Sequence, residues 1–241
     1  MRHQRVGEIG CYLKLSLLRA LSDGYRLGIA WYLVPDSGRP SAGLQTGYLD
    51  LPDRWRQLDP EVFDALHSLV RSGRRSVPAL QRSRVINAIH SSRPLEYERV
   101  HWTQRVSYRR AWFEGVLADL RDCNLIFADP EMGLIENGKP MRADHALRIT
   151  LEESKALAKG RTAIIYHPNS MRAGGHDEEV QHWLDQFGPN AFAIRANAYS
   201  ARTFFIINPT PAIKRRAMRF CARWQDLSVN LQGAPPFLLT A

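Results

Sequence analysis

Short apolar runs alternate with amphipathic stretches along this chain, and the alternation predicts strands and helices in turn. Leu125 to Ala128 is a continuous apolar run, and Arg26 to Val34 and Arg161 to His167 have apolar interiors, the pattern of strands covered on both faces. Between them, Leu13 to Leu21, Pro60 to Gly73 and Ser107 to Arg121 repeat apolar residues at helical spacing. In the second of these, Val62, Phe63, Leu66, Leu69 and Val70 share one face, and Gly73 suits the helix end. Ser76 to Arg99 is less regular; a helix near Val77 to Arg84 and a short strand near Ile86 to Ile89 are expected there.

The strand at Leu125 to Ala128 is followed by a loop from Pro130 to Arg148. Thr150 to Glu153 then has the form of a capping box, opening a helix that Gly160 ends. A helix over His176 to Phe187, strands over Phe192 to Asn197 and Thr203 to Ile207, and a last helix over Pro211 to Trp224 complete the order. The prediction is one Rossmann-like α/β domain over residues 1–241, with a possible helical insertion at 53–100. Its mostly parallel central sheet would carry helices on both faces and close on an antiparallel strand pair.

The apolar run at Leu125 to Ala128 stops abruptly at Asp129-Pro130-Glu131-Met132-Gly133. Pro130 cannot donate to a ladder, so the strand should end there and leave Asp129 at its carboxyl end, where open α/β sheets hold ligands. A turn with no chemical role has the same residues. His167 ends the next strand and would reach the same edge, as a base or a ligand. The first strand runs into Pro35 to Gly43, where Asp36 could accept from a ligand and Gly38 could let one approach the backbone.

Charge changes the picture. Lys plus Arg number 33 against 24 Asp plus Glu, a net charge of +9, with a sequence pI near 9.8. Such a balance suits a polyanion partner. Arg105 and Arg109 lie among aromatic residues, Arg172 follows the His167 strand, and Arg215 and Arg219 lie on one side of the last helix. These five are candidate nucleic-acid contacts, against the simpler reading of solvated helix faces. The three cysteines are scattered, without a CxxC pair, which fits a reducing cytoplasm. No run reaches the roughly 18 apolar residues of a membrane span, and a secretory leader pattern is missing from residues 1–10.

Three segments carry a resemblance. Gly10 to Leu18 resembles the N-terminal helix of the bacterial ribosomal-RNA adenine amino-methyltransferases of the J type, Asp129-Pro130-Glu131-Met132 is similar to their Asp-Pro-Pro-Tyr, and Phe205 to Pro209 resembles a late strand ending in Asn-Pro. The chain also looks like uncharacterised bacterial proteins with a strand ending in Asp-Pro-Asp-Asn-Gly and a later Tyr-His-His, at Asp129 to Gly133 and Tyr166 to Pro168. The first resemblance implies an S-adenosylmethionine-dependent enzyme acting on a nucleobase amino group. Asp129 and the Pro130 carbonyl would orient the amine, with Glu131 and His167 beside them, and Lys14, Asp36 and Gly38 would line the cofactor side. The chain departs from that pattern at Glu131 and Met132, at Cys11, and in lacking a glycine pair after the first strand.

Two other readings stay open. Asp129, His167 and His176, with Glu131 and Glu179 as further carboxylates, could hold a divalent metal for phosphodiester hydrolysis. Alternatively, the chain is a non-catalytic nucleic-acid-binding protein on a degenerate methyltransferase scaffold.

Overall fold

Seven strands of the described residues form one sheet in the order β2-β1-β3-β6-β8-β7-β9. The structure is a computed structural model, and it describes residues 1–36, 38, 45–138, 142–168, 172–197 and 200–233. The strands are β1 Leu27–Ala30, β2 Ile89–Ser91, β3 Leu125–Ala128, β6 Thr162–Pro168, β7 Ala191–Ala196, β8 Arg202–Ile207 and β9 Val229–Gln232. A separate parallel pair joins β4 Leu134–Ile135, within the predicted loop from Pro130 to Arg148, to β5 Ile149–Thr150 directly after it. The helices in chain order are α1 Ile9–Ser22, α2 Pro52–Trp55, α3 Pro60–Arg71, α4 Val77–Arg82, α5 Arg105–Asp119, α6 Leu151–Leu157, α7 Gly175–Phe187 and α8 Pro211–Trp224.

β2, β1, β3 and β6 run parallel, with Ala30 opposite Ala128 and Ala128 opposite Ile165. β8 then runs antiparallel between β6 and β7, and β9 closes the far edge against β7. This is the Rossmann-like sheet with a closing antiparallel pair that the sequence predicts, extended by one edge strand. Val229-Asn230-Leu231-Gln232 is too short and too polar to stand out as a strand by composition. Both faces of the sheet are buried. Ile126, Ala128, Ala163, Ile165, Phe205 and Ile207 join one core with Trp112 and Val116 of α5, Leu157 of α6 and Trp183 of α7. Their neighbours Leu125, Phe127, Ile164, Phe204 and Ile206, which point the other way, are also inaccessible.

Local chemistry sets the helix starts. The Thr150 hydroxyl accepts from the Glu153 N–H while the Glu153 carboxylate takes the Thr150 N–H, a capping box for α6. Asp59 and Thr210 cap α3 and α8, each followed by a proline that needs no hydrogen bond in the first turn.

The chain divides into two compact units. Met1, residues 24–34 and residues 88–241 form one, which holds the whole sheet, and residues 2–23 and 35–87 form the other. The helical part is thus bounded differently from the expected insertion at 53–100, and it takes α1 with it. The reason is aromatic packing: Tyr12 of α1 stacks on Tyr48 at 5.3 Å and meets the edge of Phe63 of α3 at 6.0 Å. Among the described residues, no helix is long and apolar enough to cross a membrane.

Candidate functional site at the carboxyl edge of the parallel strands

The chain leaves β1 for β2 on one side and returns to β3 on the other, so the gap beyond β1 and β3 is the switch point where such sheets take ligands. Asp129 does stand there, directly after β3, with its N–H on the Ala30 carbonyl at 2.9 Å. It is not open to a groove. The residue is fully inaccessible, and Pro130 is buried beside it. Met1 spans the gap: its amino group donates to the Tyr32 carbonyl and to the Asp129 carbonyl, each at 2.9 Å, and its carbonyl accepts from Val34. The Glu131 carboxylate lies 4.0 Å from the same nitrogen. A buried ammonium needs such partners, because desolvating it without them is costly.

The residues after β1 fill the rest of that space. Tyr32 holds a left-handed backbone, φ 44°, where a glycine would sit without strain. Its ring packs edge-on to Trp112 at 4.8 Å, and its hydroxyl donates to Glu153 at 3.3 Å. Trp31 is also buried; its indole N–H donates to His90 Nδ1 at 3.2 Å. The position that the resemblance implies for S-adenosylmethionine does not fit it, since Met1 bridges the backbone of Tyr32, Val34 and Asp129 there. Of the other expected cofactor residues, Lys14 and Asp36 belong to the second unit. The Asp36 carboxylate accepts the Gln4 N–H at 3.2 Å. Gly38 belongs to the same unit and is exposed.

The two motifs singled out in the sequence do meet. His167, at the end of β6, accepts the Leu134 N–H on Nδ1 at 3.0 Å, so its proton sits on Nε2 and goes to Glu179 of α7 at 3.0 Å. Both ring nitrogens are engaged, and the pair is buried. Gly133 makes the contact possible. Its φ is +70°, and a Cβ there would lie 2.2 Å from His167 Nδ1. His167 therefore braces the turn after Asp129 and presents no nitrogen to a substrate. Glu179, grouped with His167 from the sequence as a possible metal ligand, is instead its hydrogen-bond partner.

Arg109 is a second correction. Expected on a basic surface, it is buried and bound to Glu153 by Nε at 2.6 Å and Nη2 at 2.8 Å, with the carbonyls of His145 and Arg148 on its remaining donors. Burial works against its charge, but the Glu153 carboxylate outweighs that and holds its pKa above the ordinary arginine value. A cleft of about 380 Å³ opens beside this pair, with Val106, Phe113 and Ala156 as its apolar wall and Arg110, Glu114 and Glu152 among its polar lining.

His176 starts α7 and takes a hydrogen bond from Arg195 on Nδ1 at 2.8 Å, leaving Nε2 to Thr203 at 3.0 Å. Burial first, then the Arg195 charge, lowers its pKa. Each of the two histidines is committed to its own partners, and among the described residues no group of three or more His, Cys, Asp or Glu could hold a metal ion. The set Asp129, His167 and His176 therefore forms no metal centre.

Of the basic candidates, Arg105 is half-buried over the Tyr97 ring at 5.5 Å and donates to the carbonyls of Val100 and Tyr97. Arg172, Arg215 and Arg219 are exposed, as is Arg223, which follows Arg219 at the same spacing. Sequence reasoning missed Met1, Tyr32 and Glu153. Only Glu153 had a signal, the capping box, and that signal spoke for its backbone role and not for its grip on Arg109. Compared with protein-family models and with curated proteins, the chain matches none.

Proposed function

We propose that this chain binds nucleic acid through its basic surface and acts by contact, on a methyltransferase-like Rossmann scaffold whose ligand crevice is filled by its own residues. The observation that carries the reading is α8. Arg215, Arg219 and Arg223 recur every four residues on its exposed side, Lys214 and Arg216 add two more charges, and its 14 residues include no acid. Like charges at that spacing destabilise a helix by roughly 0.2–0.5 kcal/mol per pair. A polyanion laid along the helix reverses the sign of that term and releases counterions. The net charge of +9 supports the same partner.

The antiparallel return of β8 between β6 and β7 is the closing pair that the order of elements predicts, and it supports a Rossmann-like scaffold. Methyl transfer is less well supported, because Asp129 is enclosed and Met1 bridges it to Tyr32.

Fluorescence anisotropy with labelled RNA and DNA, across a salt series, tests the reading. The expected result is binding that weakens steeply with salt, and an Arg215→Ala/Arg219→Ala variant that binds less and lowers the log–log salt slope by about 2. No binding at low salt, or binding indifferent to the double substitution, overturns it. Thermal stabilisation by S-adenosylmethionine would reinstate the methyltransferase reading.

A further inference from the structure

Trp102 is 53% exposed, whereas the other five tryptophans, Trp31, Trp55, Trp112, Trp183 and Trp224, are at most 7% exposed. It opens the short 3-10 turn Trp102–Gln104 that leads into α5. The turn is braced. The Gln104 N–H bonds the His101 carbonyl at 2.9 Å, and Arg105 holds the two carbonyls before it from below. His101 is fixed too, with Nδ1 2.8 Å from the Thr103 hydroxyl and its ring centre 5.8 Å from that of Trp102. Arg99, three residues before Trp102, is 80% exposed and pairs with Glu96 at 3.0 Å.

A tryptophan held out in water by a rigid turn gives up the burial that its size would otherwise return. Its surroundings decide what could cover it. Glu98, Arg99, Thr103 and Gln104 are polar and exposed, so the ring stands without the contiguous apolar patch of a protein-docking core. A lone indole with an imidazole beside it and a guanidinium nearby suits a flat, anionic polymer whose units each offer one aromatic face. In a duplex those faces are covered by stacking; in a single strand they are free.

We infer that Trp102, flanked by His101, is a stacking platform for an unpaired base of a single-stranded nucleic acid. The inference rests on the reading that the protein binds nucleic acid and names the form that it takes. Arg99 supplies charge for the adjoining phosphate.

The test titrates unlabelled oligouridylate and oligodeoxythymidylate into the full chain and follows tryptophan emission, which reports on Trp102 because the other indoles are shielded. Anisotropy of labelled single strands and of a labelled duplex measures binding independently. The expected result is quenching by single strands that Trp102→Leu abolishes. That variant should also lose about 5- to 150-fold in single-strand affinity with unchanged duplex affinity, and Trp102→Phe should keep most of it. Equal melting temperatures establish that the variants fold. Failure of every strand and duplex to bind the wild type overturns the nucleic-acid reading and this inference with it. Single-strand binding without quenching, or an equal loss for strand and duplex in Trp102→Leu, overturns the stacking role alone.

Discussion

Arg109 of α5 and Glu153 of α6 meet through two hydrogen bonds of 2.6 and 2.8 Å inside the sheet-bearing unit, and between them they bond five further groups. Arg109 donates to the carbonyls of His145 and Arg148 and to the Tyr97 hydroxyl, while Glu153 takes the Tyr32 hydroxyl and the Thr150 N–H. The pair ties the segment after β1 to the entrance of α6. Its strength is asymmetric: two charges buried together are tolerable, and one left behind is not.

Arg109→Ala or Glu153→Ala should each cost about 3–5 kcal/mol, because the remaining charge stays buried without its partner. The double replacement Arg109→Met/Glu153→Leu should cost far less than the sum of the two. Denaturant titration of the four proteins measures the coupling. Additive losses would contradict this account.

Acid should weaken the α7 region through His176. Its folded pKa lies below the ordinary histidine value, from burial and from Arg195, with Glu179 and Asp177 opposing and His167 adding to the shift. The unfolded chain therefore binds this proton first. The stability it contributes is complete above pH about 6.5 and is lost as pH falls from there toward the lower folded value. His90 and His145, also lowered by burial, add the same sign. Melting curves between pH 5 and 8 should show a drop on acidification that is shallower in His176→Gln, with the two profiles parallel above neutrality.

Gly133→Ala should destabilise by more than the about 1–3 kcal/mol that a left-handed backbone costs a residue with a side chain. The added methyl would sit 2.2 Å from His167 Nδ1 and 2.9 Å from Pro168 Cδ. In His167→Ala much of that collision disappears, so the loss from adding Gly133→Ala should be smaller than in the wild type. Thermal denaturation of both single variants and the double variant reads this directly.

Tyr32 separates ring from hydroxyl. Tyr32→Phe removes one bond of 3.3 Å from a carboxylate that keeps its other partners, a loss of about 0.5–1.5 kcal/mol. Tyr32→Ala removes a buried ring packed on Trp112 and should cost about 3–5 kcal/mol despite the same left-handed backbone. Equal losses in the two variants would show that the hydroxyl carries the site.

The parallel core was readable because Leu125 to Ala128 and Ala163 to Ile165 are unbroken apolar runs, which need cover on both sides and so specify neighbours. The end of β3 was readable for a different reason, since Pro130 forbids continuation. What escaped was everything decided by distance along the chain. Nothing in the composition around Arg109 distinguishes a surface arginine from one that finds a carboxylate in α6. Tyr32 looked like an ordinary strand aromatic until its positive φ set it beside Met1. The acid at the strand end was found in the expected place, but whether it opens onto a groove depends on the side chains that fill the gap, and those come from other elements.

The pairing of β1 with β3 has a kinetic consequence. Ala30 must wait for Ala128, whereas Ala196 meets Arg202 across a short connection and β9 joins soon after. Contacts that close small loops form early, and those spanning about a hundred residues form late. The carboxyl-terminal meander is thus the natural nucleus, and the opening third of the polypeptide lacks its central partner until β3 has left the ribosome. During that interval Leu27 to Ala30 is an uncovered apolar segment.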